Sequence, residues 1–417
     1  MNEKQNLRLK RNVGLDYVHT FLSNMNMQSS IWVLYLAYCG LHLAQIGLLE
    51  GIYHATSIVC EIPSGAAADL WGRKRCMILS NLCIAVSCVI MLFSKSFGWF
   101  AVSFAVQALG NNLNSGSEEA LVYDSMKCLG QEEHYMGVYG RINVLIEVAQ
   151  GLATVAGGVL AEFSYFWCYA ACVVIAVLAL LPVLWMAEPP QCGEAADTAG
   201  EGVEDAAEGT PAQRTTRETV KHHFAVSACI LQKDVRIGKI IGFYSVVFAA
   251  HTLLFFYSQQ YFADLGYNKV QISVIMLLVG GASCLGALVS EKMYRWFGKK
   301  CLIPETVIIA AAILCYGSGK AGVAAAALMC AGFANAALYP VQSDSLNALI
   351  PSEQRATLIS VDSMCFSIAM IVLFPLAGAF ADRWGLKTVL LLLGAILLLF
   401  LLAAFCIEKE SFSSDHS

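Results

Sequence analysis

Charge is scarce in this chain. Asp, Glu, Lys and Arg make up 14% of its 417 residues, little more than half of the roughly 25% usual in soluble domains. So few charges cannot build a surface that faces water all round, which excludes an ordinary soluble domain. A signal-peptide pattern is also missing. The basic start MNEKQNLRLKRN is not followed by a short apolar core with a small-residue cleavage site, so the first apolar run is expected to be retained. No C-x-x-C pair occurs among the 16 cysteines, which are scattered through apolar runs; most of them read as small buried hydrophobes. H-E-x-x-H, G-x-S-x-G and a Walker-type loop are absent too. With them go the usual signatures of a zinc peptidase, a serine hydrolase and an ATP-driven pump.

What is present is apolar: 58% of residues are hydrophobic, and mean hydropathy is +0.62. The hydrophobicity falls in runs of roughly 20 residues, the length of helix that crosses a ~30 Å hydrocarbon core. An all-α polytopic membrane protein is expected, with twelve spans. Six lie near 16–39, 44–68, 76–94, 98–122, 137–161 and 165–187, and six near 238–258, 270–290, 301–317, 321–346, 355–380 and 387–407. Between the sixes, a stretch rich in Gly, Ala, Glu and Thr has too little apolar surface to fold alone. The expected organisation is therefore a six-helix bundle at 1–187, a cytoplasmic linker at 188–235, and a second bundle with a short tail at 236–417.

Lys and Arg set the orientation. With the N-terminus inside, 20 of the 26 fall in cytoplasmic segments, 5 in the opposite ones, and Arg141 lies within a span. Both termini are expected in the cytoplasm, in a multi-pass protein of the inner membrane. The two halves also match each other. A shift of 220 residues lays DSMKCLGQEE from Asp124 on DSLNALIPSE from Asp344, and GGVLAE from Gly157 on AGAFAD from Ala377. Two matches in one register mark a duplicated six-span unit, a frequent transporter plan.

Ionisable groups inside a bilayer face protein or water rather than lipid. Spans 3, 6 and 12 have none and span 9 has only Glu305 at its cytoplasmic end, whereas spans 1, 2, 4, 5, 7, 10 and 11 carry groups that can surround a polar space. Glu50, His54, Ser57 and Glu61 follow i, i+4, i+7, i+11 and make one stripe on span 2; Asn143, Glu147, Gln150 and Thr154 repeat the spacing on span 5. Asn111, Asn114 and Glu118 lie on span 4, Asn335, Tyr339 and Gln342 on span 10, and Tyr244, Phe248, His251, Phe255 and Ser258 on span 7. The plainer alternative for the amides and serines is hydrogen bonding between neighbouring helices. Glu118 and Glu119 can likewise serve structurally by pairing with Arg141. Glu50, His54, Glu61 and Glu147 are the candidates for carrying a proton, since carboxyls removed from water suit reversible protonation. Asn111, Asn114, Glu118, Asn143, Gln150, Tyr244, His251, Asn335, Tyr339 and Gln342 are the candidates for lining a substrate cavity. Acids outnumber the one buried arginine, so the field favours cationic or neutral solutes.

Between spans 2 and 3 the order Gly65, Asp69, Gly72, Arg73, Lys74, Arg75 resembles the loop signature of the major facilitator superfamily. Span count, internal repeat and topological place agree with the resemblance, which covers the chain apart from linker and tails. It implies two pseudo-symmetric six-helix bundles, alternating access around a central site, and an inner latch built from Gly65, Asp69, Gly72, Arg73 and Lys74. Asp124, closing span 4, is the expected partner of Arg73, and Lys74 and Arg75 also satisfy the positive-inside rule. The second half keeps a worn copy, Gly286 and WFGKK at 296–300, without the aspartate. Asp382 in GAFADRWG follows span 11 on the outer side and is not counted as a second inner latch.

The expected function is secondary active transport of a small solute with proton coupling. Drug efflux antiport or an uncoupled facilitator on the same fold is the alternative. Gly157-Gly158 fit the span 5 pattern of drug antiporters, but the preceding pair is Ala153-Thr154 rather than Gly-Pro. A membrane-embedded enzyme is a weaker rival. Neither cofactor nor metal nor nucleic acid is expected; the bilayer is the partner, and the chain is expected to act as a monomer.

Overall fold

The structure is a computed structural model that describes residues 3–190, 235–298, 302–347 and 355–414. Among them are fourteen α-helices and no strand: α1 Glu3–Ser23, α2 Trp32–Tyr38, α3 Leu43–Trp71, α4 Arg73–Phe93, α5 Phe97–Asn114, α6 Ser117–Cys128, α7 Tyr135–Phe163, α8 Tyr165–Trp185, α9 Val235–Asp264, α10 Lys269–Phe297, α11 Leu302–Cys315, α12 Ala321–Asn347, α13 Arg355–Trp384 and α14 Leu386–Ser414. Among the described residues, seven helices are long and apolar enough to cross a membrane: α4, α7, α8, α9, α10, α12 and α13. The other expected spans also fall on helix. The linker residues 191–234 lie outside the described residues.

Two expected spans are broken, each for a local reason. Span 1 splits into α1 and α2 at the polar run that follows Leu22. There Ser23 Oγ and Asn24 Nδ2 both donate to the Thr20 carbonyl, at 3.2 and 2.9 Å, the side-chain competition that ends helices. Further along the break, the side chain of Gln259 serves the freed backbone. Its Nε2 donates to the Ser29 carbonyl at 3.0 Å, and its Oε1 accepts from the Val33 amide at 3.3 Å. Span 4 splits at Gly116, whose φ of 76° is left-handed and interrupts the ladder between α5 and α6.

By packing, the chain divides into two compact units. The first comprises residues 1–26, 56–153 and 168–226, the second residues 27–55, 154–167 and 227–417. In the first, Met77, Leu121, Val183 and Met186 form a buried cluster across α4, α6 and the end of α8. The Ser87 and Ser103 hydroxyls join α4 to α5 at 2.9 Å. In the second, α9 meets the turn after α11 through Ser258 Oγ and Tyr316 Oη, 2.6 Å apart, and through Tyr261, which donates to the Tyr316 carbonyl at 2.7 Å. Asn268 starts α10 with a capping box: its Oδ1 accepts from the Gln271 amide at 2.9 Å, and Gln271 Oε1 accepts from the Asn268 amide at 3.0 Å.

Candidate functional site

In the first unit, the α3–α4 loop makes the contacts its charges allow. Gly72 sits at φ 91° and starts α4. The amides of Arg73 and Lys74 donate to the two carboxylate oxygens of Glu188, at 2.8 and 2.9 Å. An anion is thus held on the first turn of α4, where the macrodipole favours it. Arg73 pairs with Asp124 and also donates to the Ala120 carbonyl at 2.7 Å. Lys74 Nζ donates to the Leu184 and Met186 carbonyls, at 2.9 and 2.7 Å, so it ties down the last turn of α8 as well as supplying positive charge. A Cβ on Gly65 would meet nothing within 4 Å, and no helix packs closely on it within the described residues. The side chain of Asp69 and residues Lys299 and Lys300 lie outside the described residues.

Gly72→Ala combines a left-handed backbone with a Cβ placed 3.0 Å from Glu188 Oε1. It is expected to destabilise the protein by about 1–2 kcal/mol, seen as a lower melting temperature in a thermal unfolding assay.

Deeper in this unit, Thr20 and Asn114 donate to the two oxygens of Glu118, at 2.8 and 2.6 Å, and His19 Nε2 stands 3.9 Å from it. Glu118 is therefore held by α1 and its own neighbourhood. The Tyr139 hydroxyl donates to Glu119 at 3.5 Å, and Arg141 is exposed. Ser57 and Asn112 bond each other, Ser57 Oγ donating to Asn112 Oδ1 at 2.9 Å and Asn112 Nδ2 to the Ser57 carbonyl at 2.6 Å. Gln150 donates to Asn24 Oδ1 at 3.3 Å. Asn111, Asn143 and Glu147 are exposed, and Glu61 is half-buried with its carbonyl accepting from Ser64.

In the second unit, Glu50 and His54 are buried and face each other, Oε1 to Nε2 3.7 Å apart, one turn along α3. His54 Nδ1 lies 3.2 Å from Ser367 Oγ of α13, and its ring meets Phe366 edge-on. On α9, Tyr244 and Phe248 continue a row of rings to Tyr339 of α12. His251 Nε2 and Asn335 Oδ1 are buried with no hydrogen-bond partner among the described residues. Gln342 is buried and donates to Asp362 Oδ1 at 3.1 Å.

The arrangement that sequence reading missed lies at the start of α3 and of α10. Asp382 accepts from the Leu43 and Ala44 amides, both at 2.9 Å, so one carboxylate caps α3. Glu162 accepts from the Lys269 amide at 3.0 Å and caps α10. The 220-residue repeat relates Glu162 to Asp382, and it also relates Gly158 to Gly378. A Cβ on Gly158 would land on the Ser273 side chain and 3.0 Å from the Lys269 carbonyl oxygen; one on Gly378 would land on the Leu43 carbonyl. Gly157 meets the Met27 carbonyl in the same way, and Gly47 meets that of Phe374. Tyr257 donates its hydroxyl to the Leu43 and Phe374 carbonyls, at 3.2 and 3.1 Å. Ser30 Oγ and Ser273 Oγ are 3.0 Å apart. Helix ends from both sequence halves therefore approach closely at glycines, with a carboxylate on each N-terminus. The repeat carries a signal for this in the alignment of GGVLAE with AGAFAD, but it does not say what the acids touch.

The Major Facilitator Superfamily model matches residues 18–319 and 306–415. The uncharacterized MFS-type transporter YxaM of Bacillus subtilis (strain 168) is 21% identical over 378 residues, 90% of each chain. Among solved structures, the nucleoside transporter NupG superposes with a TM-score of 0.74 at 15% identity, covering 98% of this chain and 100% of that one. A D-xylose-proton symporter gives 0.66 at 14% identity, over 96% and 97%.

Proposed function

The chain belongs to the major facilitator superfamily, a multi-pass membrane transporter family, and from that premise we infer that it moves a small neutral or cationic solute by alternating access, coupled to protons. The halves 1–187 and 236–417 are the moving bodies, joined by the linker 188–235. Both termini face the cytoplasm of the inner membrane, and one chain is the working unit. In this orientation the junction of α3, α7, α10 and α13 is the outer gate, and the Gly72–Arg73–Asp124–Glu188 cluster belongs to the inner latch together with Gly65, Asp69 and Lys74.

The observation that carries the reading is the pair of repeat-related caps. The carboxylates of Asp382 and Glu162 accept from backbone amides at helix N-termini of the opposite sequence half, beside glycines that allow close approach. These few polar contacts lie at helix ends, so they can separate and reform as a unit. Glu50 and His54 adjoin the same junction, where a proton on the pair alters what α3 presents to Ser367. Glu61 and Glu147 are the other coupling candidates. Tyr244, Phe248 and Tyr339 offer ring faces to a planar or cationic solute.

The test starts with a thermal-shift screen of purified protein against compound classes at two pH values, followed by uptake of the stabilising ligand into proteoliposomes. The reading expects uptake that rises with an imposed pH gradient and falls sharply in Glu50→Gln. Uptake indifferent to both sinks the coupling; no uptake of any stabilising ligand sinks the transport assignment.

A further inference from the structure

Asp16 on α1 is fully buried, and neither of its carboxylate oxygens has a hydrogen-bond donor among the described residues. Its neighbourhood is unusually well defined. His19 and Thr20 follow at i+3 and i+4 and share its face of the helix. The one proton of the Thr20 hydroxyl goes to Glu118. Glu118 also takes the Asn114 donor and sits in the first turn of α6, where an anion is favoured. Glu118 is thus provided for as a carboxylate, while Asp16, within reach of its field, adjoins only the Thr20 hydroxyl, whose proton is given to Glu118.

The other groups around Asp16 do not change this. His19 Nδ1 lies 2.9 Å from the Ala179 carbonyl, so it donates there, and Nε2 is left without a hydrogen-bond partner among the described residues. From α6 comes Glu118, and from α7 Tyr135, which also lies in the field of Glu119. The guanidinium of Arg73 is committed to Asp124 and the Ala120 carbonyl. Two adjacent carboxylates without a committed cation repel each other strongly where water is excluded. A proton on one of them removes the repulsion. No solvated cation can reach a side chain with no exposed surface, and no group of three His, Cys, Asp or Glu among the described residues could hold a metal.

We propose that Asp16 is a proton-binding site, holding the proton in this conformation while Glu118 stays anionic, with the free Nε2 of His19 as the acceptor through which the proton leaves. When the proton moves from Asp16 Oδ to His19 Nε2, Asp16 becomes an anion and His19 a cation facing Glu118, so net charge is conserved. Onward loss from His19 leaves two anions pressed together, which drives α1 and α6 apart. The site's role in transport rests on the proton-coupled reading above; its occupancy does not.

The test is infrared spectroscopy of the purified full-length protein across a pH series, following the C=O band of protonated carboxyl groups. Wild type is expected to keep a band at neutral pH that loses one carboxyl equivalent in Asp16→Asn, returns shifted in Asp16→Glu, and persists in Glu118→Gln. An Asp16→Asn spectrum that superimposes on wild type shows an ionised Asp16 and overturns the site. In proteoliposomes, Asp16→Asn is expected to exchange ligand across the membrane while losing its response to a pH gradient. Loss of the band with the pH response intact overturns the coupling role. If wild type itself lacks a pH response, the transport reading fails, and the band still decides the site.

Discussion

Leucine at Gly157 or Gly378 cuts transport by at least about fivefold while leaving the amount of protein in the membrane unchanged. Each glycine sits against a backbone carbonyl, that of Met27 for Gly157 and that of Leu43 for Gly378. Unlike a flexible side chain, a backbone carbonyl cannot swing aside, so any side chain must push the helices apart. Overpacking of this kind costs typically about 1–3 kcal/mol, which shifts an open–closed equilibrium by about 5- to 150-fold. On the proposed alternating-access reading the cost falls on the closed outer gate alone, so the variant is expected to fold but rest open to the outside. Gly280, on α10, has nothing within 4 Å of its would-be Cβ, and Gly280→Leu is the control, expected to transport within about twofold of wild type. Equal losses at all three positions, with reduced membrane protein, would mean general destabilisation instead of a gate held open.

The second large effect is expected from the caps. Asp382→Asn and Glu162→Gln each replace a charged acceptor by a neutral one at a helix N-terminus, a loss of about 1 kcal/mol. The two caps lie on different helix pairs, so their effects add, and the double variant opens the gate about 30-fold more often. Hydrogen exchange reads this directly, because the amides of Leu43, Ala44 and Lys269 are the donors. Faster exchange is expected in peptides starting at 43 and 269, stepwise from single to double variant, with α4 and α5 unaffected. Exchange that rises along the whole chain would assign the two acids to overall stability and not to the gate.

Much of the architecture is legible in the sequence. Runs of apolar residues write helices into the composition, since lipid leaves backbone groups no partner but their own helix. The Arg73–Asp124 pair is legible too, because the loop signature places a cation at a helix end where span 4 closes with an acid. Glu188 is not. It follows the last apolar residues of α8 and looks like the first residue of a polar linker, and only the chain's return past α4 brings it onto two amides. The break at residues 24–31 is hidden because its neighbours are apolar enough to sustain one span; hydrogen bonds to the Thr20 carbonyl end the helix there. Asp382 reads from the sequence as a residue of the outer side. The loop signature concerns inner loops, so it gives no hint that this acid caps the start of α3. Asp16 gives no signal at all, because an acid at the first residue of a span reads as a headgroup contact, and its burial depends on α6.

The most direct test is a crosslink. Ser30 and Ser273 are both buried, with hydroxyl oxygens 3.0 Å apart, close enough for cysteines at these positions to form a disulfide. In proteoliposomes, oxidised Ser30→Cys/Ser273→Cys protein is predicted to stop transporting the ligand found by thermal shift and to recover on reduction, while each single variant transports under both conditions. Undiminished transport by the fully crosslinked protein would contradict the account, because the outer ends of these helices would then never need to part.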